Sequence, residues 1–305
     1  MAVTFRHLTS TSQLQRSDVD QLLLTAEDMA VFAERGGCDL CKGKILAALF
    51  YEPSTRTRLS FETAMLRLGG QVITADGVQF SSMSKGETIE DTIMVAGQYA
   101  DVIAMRHPEK GSAEKAAAVS PVPFINAGDG PGEHPTQALL DLFTIRRERG
   151  GLDGLHVAMV GDLKYGRTVH SLSVLLALFP GTRFTFIAPP NLRMPEEVLS
   201  TLRGRGITWA DAERLEDGLG ADVLYMTRVQ KERFDNLQEY ERLKHAFILS
   251  ANHLQGRGVT VLHPLPRVGE IETAVDALPN AAYFRQVHNG VPMRMAIIAH
   301  LLDAA

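Results

Sequence analysis

Ile45-Leu46-Ala47-Ala48-Leu49-Phe50 runs into Tyr51-Glu52-Pro53-Ser54-Thr55-Arg56-Thr57-Arg58, and the join between these two stretches decides the fold. A short unbroken apolar run is the pattern of a strand buried on both faces, as in a parallel sheet. A polar turn follows, and then a helical pattern over residues 55–68. Ser54 is a natural N-cap. The backbone N–H groups of Thr55, Arg56 and Thr57 are then first-turn donors with no partner inside the helix, aimed where an anion would sit. Arg56 adds a planar fork that matches phosphate oxygens. An ordinary capped helix with solvated arginines fits the same residues, so the company they keep has to decide.

Working outward, strand and helix patterns alternate. Residues 16–35 carry Val19, Leu22, Leu23, Ala26, Met29 and Phe32 at helical spacing, with Ser17 as the expected cap. After the opening stretch come a strand at 71–75, a helix at 88–99, a strand at 102–105, a short helix near 112–118 and a strand at 122–126. The run Asn126 to Gly132 is too rich in Gly, Pro and Asn to be expected in an element. The crossing to a second domain is expected just beyond it, on a helix at 135–149. Alternation then resumes, with strands at 156–161, 183–188, 207–210, 223–227 and 259–262, helices at 167–179, 196–205 and 236–244, and a final helix at about 291–302. This predicts an α/β fold of two doubly wound parallel-sheet domains.

Composition agrees and excludes alternatives. At 305 residues a single core is expected to split into two domains. Apolar residues at 45% and charged residues at 22% are an ordinary globular balance, and a net charge of −5 offers no broad basic surface for nucleic acid. No apolar run is long enough for a membrane span, and residues 1–14 lack the apolar core of a signal peptide, so a cytoplasmic protein is expected. Cys38 and Cys41 form a lone C-x-x-C pair, which cannot complete a four-ligand zinc site.

Ligands of open parallel sheets collect beyond the carboxyl ends of strands. The polar clusters fall there: Ser54 to Arg58, Arg106-His107-Pro108, His134, Arg228-Val229-Gln230, and His263-Pro264-Leu265-Pro266-Arg267. Arg106, closing an apolar strand, would alone read as the partner of a carboxylate; together with Arg56 it makes a clamp for a dianion. Pro135 opens a helix with His134 and Gln137 three apart at its start, where His134 can donate to a carbonyl oxygen that gains charge. Lys85 lies in the polar loop Ser81 to Thr88 and reads first as a solvated lysine. Ser82 to Lys85 spell S-x-x-K, but the companion motifs of that pattern are absent. Gly161 to Arg167 follows a strand and opens a helix without the G-x-G-x-x-G spacing, and no Walker pattern occurs. Arg167 stands against the helix dipole, an arrangement that a bound carboxylate would offset. Arg228 and Gln230 alternate on one face. Two arginines suit a dicarboxylic acceptor and would repel an ammonium group. The prolines of the last cluster fix a rigid loop, with a cis peptide expected at Leu265-Pro266.

Pro53 to Arg58, continued by Leu59-Ser60-Phe61-Glu62, resembles the carbamoyl-phosphate signature of the aspartate/ornithine transcarbamylase family. The resemblance extends from about Ile45 to the C-terminus and is weaker in the first helix. The ornithine enzymes carry a cysteine in the motif that begins here at His263; this chain has Pro264, so the resemblance is to the aspartate-using members. It implies a transferase that moves a carbamoyl group from carbamoyl phosphate to L-aspartate in pyrimidine synthesis, without cofactor, metal or covalent intermediate. Ser54, Thr55, Arg56, Thr57 and Arg106 are thereby assigned to the phosphate, and His134, Thr57 and Arg106 to the carbonyl oxygen. Gln137 and the backbone at Leu265 and Pro266 would orient nitrogen atoms. Arg167, Arg228, Gln230 and Lys85 would hold aspartate.

The resemblance further implies a homotrimer whose sites are shared, with Ser81 and Lys85 supplied by the neighbouring subunit. Regulatory chains building a dodecamer are left open. It returns the C-terminal helix to the first domain, so that residues 1–134 and 289–305 form the carbamoyl-phosphate-binding domain and 135–288 the aspartate-binding domain. Gly269 departs from the Asp often found in regulated members. The rival readings are a transcarbamylase for another acidic or amide acceptor, a noncatalytic scaffold relative, and a nucleotide-dependent oxidoreductase.

Overall fold

Burial on both faces makes strands of the apolar runs. In β1 (His7–Leu8) and β2 (Ile45–Phe50) the only residues not buried are His7 and Ile45. The computed structural model describes residues 3–77, 82–229, 238 and 247–305. Contacts divide the chain into two compact units, Met1–Phe143 with His288–Ala305, and Thr144–Val287.

The first unit adds β3 (Gln71–Asp76), β4 (Val102–His107) and β5 (Phe124–Asp129) to a five-stranded sheet in the spatial order β1-β5-β4-β2-β3. Every pairing is parallel. Helices α1 (Arg16–Glu34), α2 (Thr55–Arg67), α3 (Ile89–Ala96) and α4 (Ser112–Val119) alternate with the strands. Ala47, Leu49, Ile93, Ile103, Met105, Ala116 and Phe124 share one core cluster. From β2 the chain goes to β3 on one side, then crosses to β4 on the other, so the winding reverses between β2 and β4.

Two helices bridge the division in sequence. α5 (Pro135–Arg149) begins among residues of the first unit and ends among those of the second. The second unit builds its own parallel sheet from β6 (His156–Val160), β7 (Arg183–Ile187), β8 (Thr208–Ala212), β9 (Val223–Met226) and β10 (Thr260–Leu262), in the order β10-β9-β6-β7-β8. Helices α6 (Arg167–Leu176) and α7 (Glu196–Gly204) follow β6 and β7. Here the winding reverses between β6 and β9. The last helix, α8 (Tyr283–Leu301), runs from second-unit residues into the first unit.

Three local expectations need correction. Ser17 lies inside α1, whose N-cap position is Gln15. The Gln15 N–H donates to Asp18 at 3.0 Å, and the same carboxylate receives Thr4 at 3.0 Å, so an acid in the first turn finishes this end. β5 runs on to Asp129 through Asn126 and Gly128. Asn126 makes this possible by accepting the Gly128 N–H at 2.7 Å and donating to Thr9 O at 2.8 Å, which satisfies backbone groups that the sheet ladder leaves over. α8 starts at Tyr283 instead of beside Pro292, which it passes through. Tyr283, Met293, Met295, Ala296, Ile297 and Ile298 are all fully buried, and that packing outweighs the roughly 3 kcal/mol an internal proline costs. The helix expected at 236–244 lies outside the described residues, apart from Gln238.

Candidate active site

The reversal in the first sheet places Phe50 opposite Arg106, so the turns after β2 and β4 leave the sheet side by side. Ser54 occupies the N-cap position of α2 as expected, with φ −160° and ψ 89°, but its hydroxyl makes no capping bond and the first turn carries no acid. The start of α2 therefore keeps an uncancelled positive end. Arg56 and Thr55 are exposed there, Ser54 is half-buried and Thr57 is buried. Arg58 is different in kind: it pairs with Asp76 on β3 and lies 3.8 Å from Glu62 one turn on, which makes it a structural arginine.

Arg106 sits at an irregularity of β4, where the register against β5 shifts between Met105 and His107. A bulge re-aims the side chain it carries. The guanidinium is mostly buried and meets Glu52 at 2.9 Å. That carboxylate, two residues past the end of β2, went unnoticed in the sequence. The signal was the adjacency of the two strand ends, which a single sequence does not display.

His134 is prepared from behind. Asp129 accepts the N–H groups of Glu133 at 2.6 Å and Gly111 at 2.9 Å. A Cβ at Gly132 would lie 2.6 Å from this carboxylate, so only glycine fits. The Glu133 carboxylate receives the Thr11 N–H at 2.8 Å and its hydroxyl at 2.6 Å, and also Ser10. Between these anchors His134 is only 4% exposed, and its carbonyl accepts Gln137 N–H at 3.0 Å and Ala138 N–H at 3.1 Å to open α5. Pro135 is the first helical residue, where a missing N–H is harmless. Gln137 is half-buried at the same helix start.

Lys85 ends a short 3-10 turn at Ser82–Lys85, is exposed, and has no ion-pair partner among the described residues. Ser81 lies outside the described residues.

The second sheet repeats the arrangement with other chemistry. Val160 of β6 stands opposite Met226 of β9, so the turns bearing Arg167 and Arg228 are neighbours. Thr227 locks them together. Its hydroxyl donates to Val160 O at 2.9 Å and accepts the Asp162 N–H at 3.1 Å, while Asp162 accepts the Tyr165 N–H at 2.9 Å. A Cβ at Gly161, whose φ is +115°, would sit 2.4 Å from Thr227 O. Arg167 is the first residue of α6, whose first turn also lacks an acid and whose cap position is Gly166. Arg167 and Arg228 are both half-buried, and Gln230 lies outside the described residues.

After β10 the His263 loop is held by its own imidazole. Nδ1 accepts the Leu265 N–H at 2.7 Å and Nε2 donates to Glu270 at 2.7 Å, which assigns the tautomer. Burial raises the Glu270 pKa, yet the bond from His263 and the backbone N–H groups of Val268 and of Glu270 itself bring it down to about 2. The network holds Leu265 at φ 58°, an uncommon value for a residue with a side chain, and the Leu265-Pro266 peptide is cis. Arg267 is occupied by Asp276 and by the Tyr283 hydroxyl at 3.1 Å.

Cys41 is buried and desolvation pushes its thiol up to about 11, the state of an inert packing cysteine. No group of three or more His, Cys, Asp or Glu positioned to hold a metal ion occurs among the described residues. No helix among them is long and apolar enough to cross a membrane.

Comparison with known proteins also divides the chain in two, although the second profile includes the last helix, which packs with the first unit. Residues 6–147 match the family profile described as aspartate/ornithine carbamoyltransferase, carbamoyl-P binding domain, and residues 153–301 match the Asp/Orn binding domain. The chain is 51% identical over 298 residues to a Methanococcus vannielii protein named aspartate carbamoyltransferase catalytic subunit, covering 97% of this chain and 98% of that one. The solved catalytic subunit of Methanocaldococcus jannaschii aspartate transcarbamoylase is similar with a TM-score of 0.92 at 48% identity, over 98% of both chains. The Trypanosoma cruzi enzyme, solved in complex with N-(phosphonacetyl)-L-aspartic acid, gives 0.90 at 43% identity, over 96% of this chain and 94% of that one.

Proposed function

The chain belongs to the aspartate/ornithine carbamoyltransferase family, and on that premise we propose how its two sets of sheet-end arginines share one reaction. The reaction is transfer of the carbamoyl group of carbamoyl phosphate to the amine of L-aspartate, giving N-carbamoyl-L-aspartate and phosphate, the committed step of de novo pyrimidine synthesis.

The phosphate is taken by the uncapped start of α2: the hydroxyls of Ser54, Thr55 and Thr57, the first-turn N–H groups, and the forks of Arg56 and Arg106. Arg106 is held by Glu52 until the dianion arrives. His134, Thr57 and Arg106 polarise the carbonyl oxygen, so that the charge developing on it meets donors already in place. Gln137 and the backbone at Leu265 and Pro266 orient nitrogen atoms. Arg167 takes the α-carboxylate of aspartate, and Arg228 with Gln230 the side-chain carboxylate. Lys85 and Ser81 reach this site from a neighbouring subunit, in keeping with a shared-site homotrimer such as the family resemblance implies, working in the cytoplasm. The amine proton leaves with the departing phosphate. Catalysis is then positioning plus charge stabilisation.

The observation that supports this most is the placement of Arg56 with Arg106 at one winding reversal and of Arg167 with Arg228 at the other. The test is direct. With radiolabelled carbamoyl phosphate and a panel of acceptors, label should appear in N-carbamoyl-L-aspartate; label on ornithine, or on no acceptor, refutes the assignment. Sizing the purified protein should give three chains. Mixing Lys85→Ala subunits with Arg56→Ala subunits should regenerate activity, and failure of the mixture would confine each site to one chain.

A further inference from the structure

One turn inside α5 lies a buried acid that the assignment above does not use. Asp141 is 0% exposed, and its Oδ1 accepts the Gln137 Nε2–H at 2.8 Å. The two residues are four apart on one helix, the spacing at which side chains meet. An ionised carboxylate can only accept hydrogen bonds, so the amide that faces it must present nitrogen. Turning the amide over would set two acceptor oxygens against each other. Gln137 Oε1 is therefore committed to the opposite direction, as an acceptor.

A buried cation lies within electrostatic reach of Asp141. Arg294 of α8 is 3% exposed, lies over the Phe61 ring at 5.0 Å, and donates to Ser60 Oγ at 2.9 Å and to Gly290 O at 3.2 Å. Burial pulls its pKa down to about 10, and the Asp141 charge works in the opposite direction. A Cβ at position 290 would lie 2.7 Å from Arg294 Nη1, so Gly290 keeps the space for the guanidinium. Ser60 and Phe61 belong to α2, which places this fixed countercharge directly beneath the helix assigned to the phosphate.

We propose that Asp141 is a positioning residue that sets donor specificity: by holding the Gln137 amide nitrogen it commits Gln137 Oε1 to accept, and so selects a phosphoryl donor bearing an amide NH2 over an isostere bearing a methyl group. This rests on the reading that Gln137 faces the carbamoyl nitrogen. A methyl group in that position would leave Oε1 desolvated without a donor, a loss of roughly 10- to 100-fold in binding.

The experiment measures competition against carbamoyl phosphate by three inhibitors: phosphonoacetamide, its methyl-ketone isostere acetonylphosphonate, and inorganic phosphate. The enzyme should bind the amide roughly 10- to 100-fold more tightly than the ketone. In Asp141→Asn the new side-chain amide can donate to Oε1 and turn Gln137 over, so the preference should collapse to within about threefold while inhibition by inorganic phosphate moves by less than about twofold. The double variant Asp141→Asn, Arg294→Met removes both buried groups that act on each other electrostatically, and should show the same collapse if the single variant fails to fold. An amide-to-ketone ratio that persists in a folded variant overturns the role of Asp141, with the phosphate site standing. A ratio that falls only together with phosphate affinity reduces Asp141 to a structural residue. If inorganic phosphate does not compete in the unsubstituted enzyme, the assignment of the α2 site fails instead.

Discussion

The starts of α2 and α3 belong to the same unit and solve the same problem in opposite ways. α3 is finished: the Thr88 hydroxyl accepts the Asp91 N–H at 3.1 Å, and Glu90 and Asp91 put negative charge on the positive end of the dipole. α2 is left open, with a serine that does not cap and no acid in its first turn. The other helices among the described residues sort the same way. α1, α4 and α7 carry Asp18, Glu114 and Glu196 with Glu197 in their first turns, whereas α5 and α6, the remaining helices that begin at site residues, carry none. α8 also lacks an acid there, but its first turn is taken up by the His263 loop: Gln286 accepts the His263 N–H at 2.9 Å and the Tyr283 hydroxyl accepts from Arg267 at 3.1 Å. An unfinished helix start is thus a functional signal when it stands just beyond the carboxyl end of a strand, as those of α2, α5 and α6 do.

Breaking the comparison at its strongest point means removing the guanidinium that α2 offers in place of an acid. Arg56→Ala should lower kcat by about 10²- to 10³-fold with an unchanged circular dichroism spectrum and melting temperature, and near-normal turnover would remove α2 from the site. Next is the question of whether α6 belongs with α2. Arg167→Ala should raise KM for aspartate by roughly 10- to 100-fold while competition by inorganic phosphate stays as it was; an equal loss for both ligands would deny two separate seats. Converting one type of start into the other sharpens the contrast. Thr55→Asp should weaken inorganic phosphate by at least about tenfold and leave thermal stability equal or higher, since an acid there satisfies the dipole and repels the anion. The smallest effect is the mirror case. Thr88→Ala should cost about 1 kcal/mol of stability in denaturant titrations and leave KM for carbamoyl phosphate alone.

Much of this was legible in the chain. Apolar runs such as Ile45–Phe50 are long enough to be strands and are separated by helical patterns, so the alternation and the two parallel sheets could be read directly. Asn126 to Asp129 misled because its residue types favour turns, and only the distant Thr9 carbonyl explains why the strand continues. The last helix, expected at about 291–302, begins eight residues earlier at Tyr283 and passes through Pro292, because the burial that carries it is tertiary. Among site groups, the motif arginines were visible as charges at strand ends. Glu52 and Arg294 were not, since what marks them is contact across elements, and Asp141 was not, since its i,i+4 spacing from Gln137 permits their hydrogen bond without announcing it. The traces in sequence are Arg294 and Asp141, each a lone charge within an apolar run, Met293 to Ile298 and Ala138 to Phe143.

The return of α8 to the first unit has a consequence for how the protein comes into being. Residues 288–305 complete the unit that residues 1–143 begin, and His300 reaches back to Thr25 at 2.8 Å, as Arg294 does to Ser60 at 2.9 Å. On a translating ribosome, Thr144–Val287 emerges as one uninterrupted piece and can close its core at once. The unit that residues 1–143 begin is therefore finished only after Thr144–Val287 has been made, and a nonsense codon at the start of α8 would ruin a nest for phosphate encoded more than two hundred codons earlier.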